Sequence, residues 1–164
     1  MADLRGNPWN FTNADVASTK AITSIVRNDQ GSATVTATAH GFAVDNYISI
    51  QGTTILGWQK GYRILTVPSA NTFTIPITPD QSLLANNGAN GNVVTLIYRE
   101  LIEVTQMLWD GPTATDVLSL TDQFGRLVWN PTAVTGGSYT YMKAFPINGL
   151  CINALPSGKL QISI

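Results

Sequence analysis

Ala33-Thr34-Val35-Thr36-Ala37-Thr38-Ala39-His40-Gly41-Phe42-Ala43-Val44-Asp45-Asn46-Tyr47-Ile48-Ser49-Ile50 is the stretch on which the fold turns. Apolar and β-branched side chains alternate with threonine and serine at a period of two, which gives an extended chain one apolar and one polar face. A helix needs an apolar stripe sustained at three- and four-residue spacing, whereas the period of two dominates over 33–39 and 47–50. The stretch therefore predicts a strand over 33–37, a bend at His40-Gly41 with Phe42 plugging the core, and a second strand over 47–50.

The same period recurs outward in both directions. Thr72-Phe73-Thr74-Ile75 and Lys159-Leu160-Gln161-Ile162-Ser163-Ile164 read as further strands. Asn28-Asp29-Gln30-Gly31, Asp122-Gln123-Phe124-Gly125 and Pro156-Ser157-Gly158 place turn-forming residues between apolar runs. Only Asn13 to Lys20 and Pro79 to Asn86 are candidates for helix, each one or two turns long, with Pro79-Asp80 as a helix start in the second. The chain is thus expected to be all-β.

Ala85-Asn86-Asn87-Gly88-Ala89-Asn90-Gly91-Asn92 offers almost no side chain to a core and reads as a mobile connection or wide surface loop. It divides the chain into a β-barrel-like module over 21–92 and a β-sandwich over 93–164. Residues 1–20 form an arm in which Trp9 and Phe11 alternate, and this arm is expected to pair with the C-terminal strands. The module would then be inserted in, or precede, the C-terminal sandwich.

Of the 164 residues, 44% are hydrophobic and 12% charged, with a net charge of −1. That composition supports a buried core and argues against a disordered chain. The nine basic residues stand singly, so no run exists to neutralise several phosphates at once, and nucleic-acid binding is not expected. The opening residues lack a basic stretch followed by an apolar core, and no apolar run is long enough to span a bilayer. Synthesis and folding in a cytoplasm, with no membrane partner, are the expectation. Asn10-Phe11-Thr12 matches a glycosylation acceptor, which carries no weight without a secretory route.

The inventory for catalysis is thin, with one histidine, one cysteine and ten carboxylates. Glu100 and Glu103 are close in sequence, but their odd spacing sends them to opposite faces of a strand. No glycine pattern of a nucleophile elbow surrounds a serine, and Cys151 sits between Leu150 and Ile152 with no basic neighbour, as a small apolar side chain would. One histidine and one cysteine do not make a zinc site, and no phosphate-binding glycine loop is present. No catalytic residue, metal or cofactor is expected, and the protein is read as a non-enzyme. Trp109 and Trp129 lie in apolar strand contexts and read as packing residues. Trp9, Phe11, Trp58, Tyr139 and Tyr141 are the candidates for a surface contacting another protein, the two tyrosines sharing one strand face beside the turn Thr135-Gly136-Gly137-Ser138.

The run from Ala33 to Gly52, with Gly61-Tyr62-Arg63-Ile64-Leu65 and Asn71-Thr72-Phe73-Thr74-Ile75 after it, resembles a small β-barrel module that recurs in phage tail and head-surface proteins. A related module sits in ubiquitin-activating enzymes, so the likeness implies a fold and not an activity. Met107-Leu108-Trp109, Asp122-Gln123-Phe124-Gly125 and Leu150 through Ile164 are similar to a second phage pattern, a compact sandwich. The resemblance implies a virion structural protein, foremost one that decorates and cements the outside of a capsid, partnered by the major capsid protein and often a homotrimer. A tail-associated structural or adaptor protein bound to tail subunits is the nearest alternative. A carbohydrate-binding module for host recognition is another, and it requires Trp58, Tyr139 and Tyr141 to share an exposed groove. Apolar alternation at both termini, taken as exposed, points to the trimer.

Overall fold

A computed structural model describes residues 9–12, 19–28, 31–95, 98–134, 137–142 and 144–164, with the side chains of 98–100 left out of the description. The chain is all-β, with strands joined by antiparallel pairing in four sheets of four. Two sheets come from residues 19–95 and two from residues 9–11 and 98–163.

The first pair of sheets contains β2 (Thr19–Ala21), β3 (Ser24–Arg27), β4 (Ser32–Thr36), β5 (Tyr47–Gln51), β6 (Gly61–Arg63), β7 (Thr66–Ser69), β8 (Thr72–Pro76) and β9 (Asn92–Thr95). They run in the orders β2-β9-β5-β6 and β3-β4-β8-β7. The strands expected over 33–37, 47–50 and 72–75 are β4, β5 and β8. Ile48, Ile50 and Val93 of one sheet pack on Ile25, Val35, Phe73 and Ile75 of the other, where alternation directs the apolar face of each strand inward.

The expected barrel does not close. Of the chain's passages between these sheets, two are two-residue corners, Ile22-Thr23 between β2 and β3 and Ile64-Leu65 between β6 and β7, and no ladder joins the sheets across either corner among the described residues. Ile22 and Ile64 turn into the core at those corners and are buried. Flanking strands of three and four residues leave too little length for a continuous ladder around the bend, so the result is a sandwich.

The stretch 85–92, expected to stand apart from any core, is built into this sandwich. Asn87 is buried and exchanges both backbone hydrogen bonds with Ile25, at 2.9 and 3.0 Å. Its side-chain amide donates to the carbonyls of Gly88 and Asn90. A Cβ at Gly91 would lie 2.8 Å from the Gln51 carbonyl oxygen and 2.7 Å from Thr53 Cγ2, so only glycine fits this approach. Pro79 precedes a single 3-10 turn over Asp80–Leu83, within the short helix expected there. The other expected helix falls on residues outside the description, apart from Thr19 and Lys20, which open β2.

The second pair of sheets contains β1 (Trp9–Phe11), β10 (Tyr98–Val104), β11 (Gln106–Asp110), β12 (Ser119–Thr121), β13 (Leu127–Trp129), β14 (Ser138–Tyr141), β15 (Phe145–Ala154) and β16 (Lys159–Ser163), ordered β1-β16-β11-β14 and β10-β15-β12-β13. Trp9 pairs with Ile162 and Phe11 with Leu160. Trp9, Leu160 and Ile162 face inward and are buried with Trp109, Leu120 and Leu150. The apolar alternation of β1 and β16 is therefore spent within one sheet, and among the described apolar residues of the two termini only Ile164 is exposed.

The two sandwiches meet at a polar seam. All of Ile48, Ser49, Ile50 and Gln51 are buried, because Ile48 and Ile50 face their own core while Ser49 and Gln51 face the second sandwich. Ser49 Oγ donates to the Gln123 carbonyl at 2.6 Å, and Gln51 Nε2 donates to Thr121 Oγ1 at 3.1 Å. Cys151 lies at the same seam, clustered with Val94 and Tyr47.

Candidate functional site

β13 and β14 are the edge strands at one end of the second pair of sheets, and the mouth between them is filled with aromatic rings. Tyr141 stands between Trp129, with centroids 6.2 Å apart, and Phe145, at 5.3 Å in an edge-to-face arrangement. A groove of about 420 Å³ opens there, bounded by Leu127, Val128, Tyr141, Phe145 and Pro146, with Arg126 at one wall. Leu127 and, just beyond Tyr141, Met142 are exposed.

The wall carrying Arg126 is held by the turn expected at 122–125. Asp122 Oδ1 accepts the backbone N–H groups of Phe124 and Arg126, both at 2.9 Å, and Oδ2 accepts Arg126 Nε at 2.6 Å. This is the local side-chain capping for which aspartate suits a turn. Arg126 also lies over the Phe124 ring, 5.1 Å from its centroid. Its guanidinium is thus positioned but still solvated, at a groove whose lining mixes apolar residues with Asp122 and Asn148. Such a groove can hold an apolar or aromatic side chain of a partner while offering a hydrogen-bond donor at the rim.

The candidate contact residues divide. Tyr139 and Tyr141 do share one face of β14, but that face looks into the sandwich: Tyr139 packs on Trp109 at 5.8 Å and its hydroxyl accepts the Val134 N–H, while Tyr141 reaches the groove. Trp9 is buried and Phe11 half-buried against it, on the opposite edge of the same sheet with β16 and β11 between. Trp58 is a correction. It is fully buried in the core of the first sandwich and its Nε1 donates to the Ala85 carbonyl, so it offers no surface. Arg126, Leu127, Val128 and Phe145 were not singled out in the sequence, although Leu127-Val128-Trp129 directly after the turn is an apolar run with a face to spare.

The remaining candidates for chemistry are engaged structurally. His40 is buried, accepts the Phe42 N–H at Nδ1 and places Nε2 3.1 Å from the Ser69 carbonyl, which fixes the neutral tautomer with the proton on Nε2. Its ring stacks on Phe42 and meets Phe73 edge-on. Cys151 is fully buried, and desolvation pushes its thiol up to about 12. Glu103 faces solvent. A break in the β10–β15 register between Tyr98 and Leu101 interrupts the alternation on which its separation from Glu100 rested, and the Glu100 side chain lies outside the described residues. Among the described residues, no three His, Cys, Asp or Glu side chains are grouped to hold a metal ion, and no helix is long and apolar enough to cross a membrane.

In comparisons with known proteins, no family model, no curated protein and no solved structure matches this chain.

Proposed function

We propose that the protein is a structural component of a tailed-bacteriophage particle that binds the outer surface of the capsid through the major capsid protein and stabilises the shell. The observation that carries this reading is the groove at the β13–β14 mouth, lined by Tyr141 and Phe145 with the exposed side chain of Leu127 at its edge, on a scaffold of paired strands. A rigid strand scaffold presenting apolar anchors beside a positioned arginine suits recognition by shape, in which a few buried anchors dominate affinity. The likeness of residues 21–77, and of the motifs at 107–109, 122–125 and 150–164, to phage modules supports the same reading. A homotrimer is the assembly we favour, by analogy with proteins that sit on local three-fold positions of a shell.

Sedimentation of the purified protein with shells lacking it tests the proposal. Saturable co-sedimentation and a raised shell-disruption temperature are the expected results, and Leu127→Asp abolishes both while leaving the isolated protein folded. Failure to bind shells overturns the capsid reading, and binding to purified tails instead moves the protein to the tail. The carbohydrate-binding reading is weakened by the burial of Trp58, because the three rings it requires share no groove.

A further inference from the structure

We infer that the seam between the two sandwiches is a joint that opens reversibly while both cores stay folded. Each sandwich is held by a cluster of 14 buried apolar residues among those described, whereas the apolar cluster at the seam contains Val94 and Cys151 alone, with Tyr47 half-buried against them. Among the described residues, the other contacts at the seam are polar. Gln51 Nε2 donates to Ser49 Oγ and Thr121 Oγ1, Ser49 Oγ donates to the Gln123 carbonyl, and Asn153 Nδ2 donates to Thr121 Oγ1.

Two of these bonds cross between the sandwiches, Ser49 Oγ to the Gln123 carbonyl and Gln51 Nε2 to Thr121 Oγ1; water replaces both when the faces part, so opening forfeits little hydrogen-bond energy, while unfolding either core exposes large apolar side chains. Interfaces of this polar kind between units of one chain permit relative motion. The covalent links do not prevent it. The chain crosses between sandwiches only between Phe11 and Thr19 and between Thr95 and Tyr98. Both crossings reach the first sandwich on the paired strands β2 and β9, where Thr19 lies opposite Val94. Side chains alone therefore hold Gln51 against Thr121.

Cys151, the single cysteine of the chain, is a built-in reporter of opening because it is fully buried at the seam and not in either core. The test is the rate at which 5,5′-dithiobis(2-nitrobenzoate) modifies Cys151 in the full-length protein across low urea concentrations, set against global unfolding followed by tryptophan fluorescence. The joint predicts modification that depends only weakly on urea where global unfolding depends steeply, and a rate about tenfold higher in Gln51→Ala, the effect of removing one buried hydrogen bond between the faces. Modification with the same urea slope as global unfolding overturns the inference, because the seam would then open only when the cores melt. An unchanged rate in a folded Gln51→Ala variant overturns it as well. The wild-type slope decides the matter even if that variant fails to fold.

Discussion

Gln51 Nε2 donates to Thr121 Oγ1 at 3.1 Å across 70 residues of sequence, tying the central strand of the first sandwich to the second. The acceptor also receives the Asn153 amide at 3.1 Å, so one hydroxyl serves a buried and a half-buried side chain. Thr121→Val keeps the shape and removes the oxygen, leaving both amides short of an acceptor. We expect a loss of about 1–3 kcal/mol in urea unfolding, with Thr121→Ser within about 1 kcal/mol of wild type. Equal stability of the valine and serine variants would show that the hydroxyl is not what matters.

Gly91 and Gly88 lie three residues apart in the asparagine-glycine stretch and answer differently to a methyl group. Gly91 has φ of +83° and a Cβ there would press on Gln51 and Thr53, whereas a Cβ on Gly88 meets nothing within 4 Å. Gly91→Ala should cost at least about 2 kcal/mol from the left-handed backbone and the contact together. Gly88→Ala should be nearly neutral. Thermal melts of the two variants side by side make the comparison.

Much of this was legible in advance, and the exceptions have a physical pattern. Alternation located β4, β5, β8 and β16 because one face of each is apolar, and that signal survives in any sheet. It cannot show what covers the polar face. Ser49 and Gln51 look like solvent-facing residues of a half-buried strand, yet both are buried at the seam. The runs Val93-Val94 and Leu150-Cys151-Ile152 were the available clue, since consecutive apolar residues on a strand require burial on both sides. Asn87 escaped notice for a related reason: its contribution to the first sandwich is made by its backbone and amide, which hydropathy does not register. Trp58 stands among the contact candidates because its local sequence does not show what covers it, and its indole N–H is satisfied by the Ala85 carbonyl within the fold. In the groove, Tyr141 is expected from β14, but the other walls come from the neighbouring β13 and β15, whose packing against it hydropathy does not register.

Trp9 seats the N-terminal strand. Its pairing opposite Ile162 and its burial beside Trp109 make β1 part of the C-terminal sandwich core. Trp9→Ala should lower stability by about 3–5 kcal/mol, the range for deleting a large buried aromatic side chain. Proteolysis of the variant, read by mass spectrometry, should show first cleavages within residues 98–163 rather than 19–95. Cleavage beginning in the first sandwich would contradict the assignment of β1.

Alkaline pH should loosen the protein through Cys151. The folded thiol is held near 12 by desolvation, whereas the exposed thiol of the unfolded chain ionises near its ordinary value of 9.0. Between these values the unfolded chain has released a proton that the folded chain keeps, so stability is full below pH 9 and falls as pH rises toward 12, by up to about 1.4 kcal/mol per pH unit. Burial raises the Tyr62 phenol in the same sense and adds to the loss above pH 10. Cys151→Ala should remove the decline between pH 9 and 10 and make the decline beyond pH 10, where only Tyr62 still contributes, shallower than in wild type. Urea midpoints measured across that interval for both proteins test the sign.

The most direct test of the functional account is quantitative mass spectrometry of this protein in purified phage particles, counted against the major capsid protein. The account predicts a copy number of the same order as the shell subunit's, lost together with shell resistance to heat when the gene is removed. Absence of the protein from purified particles would contradict it.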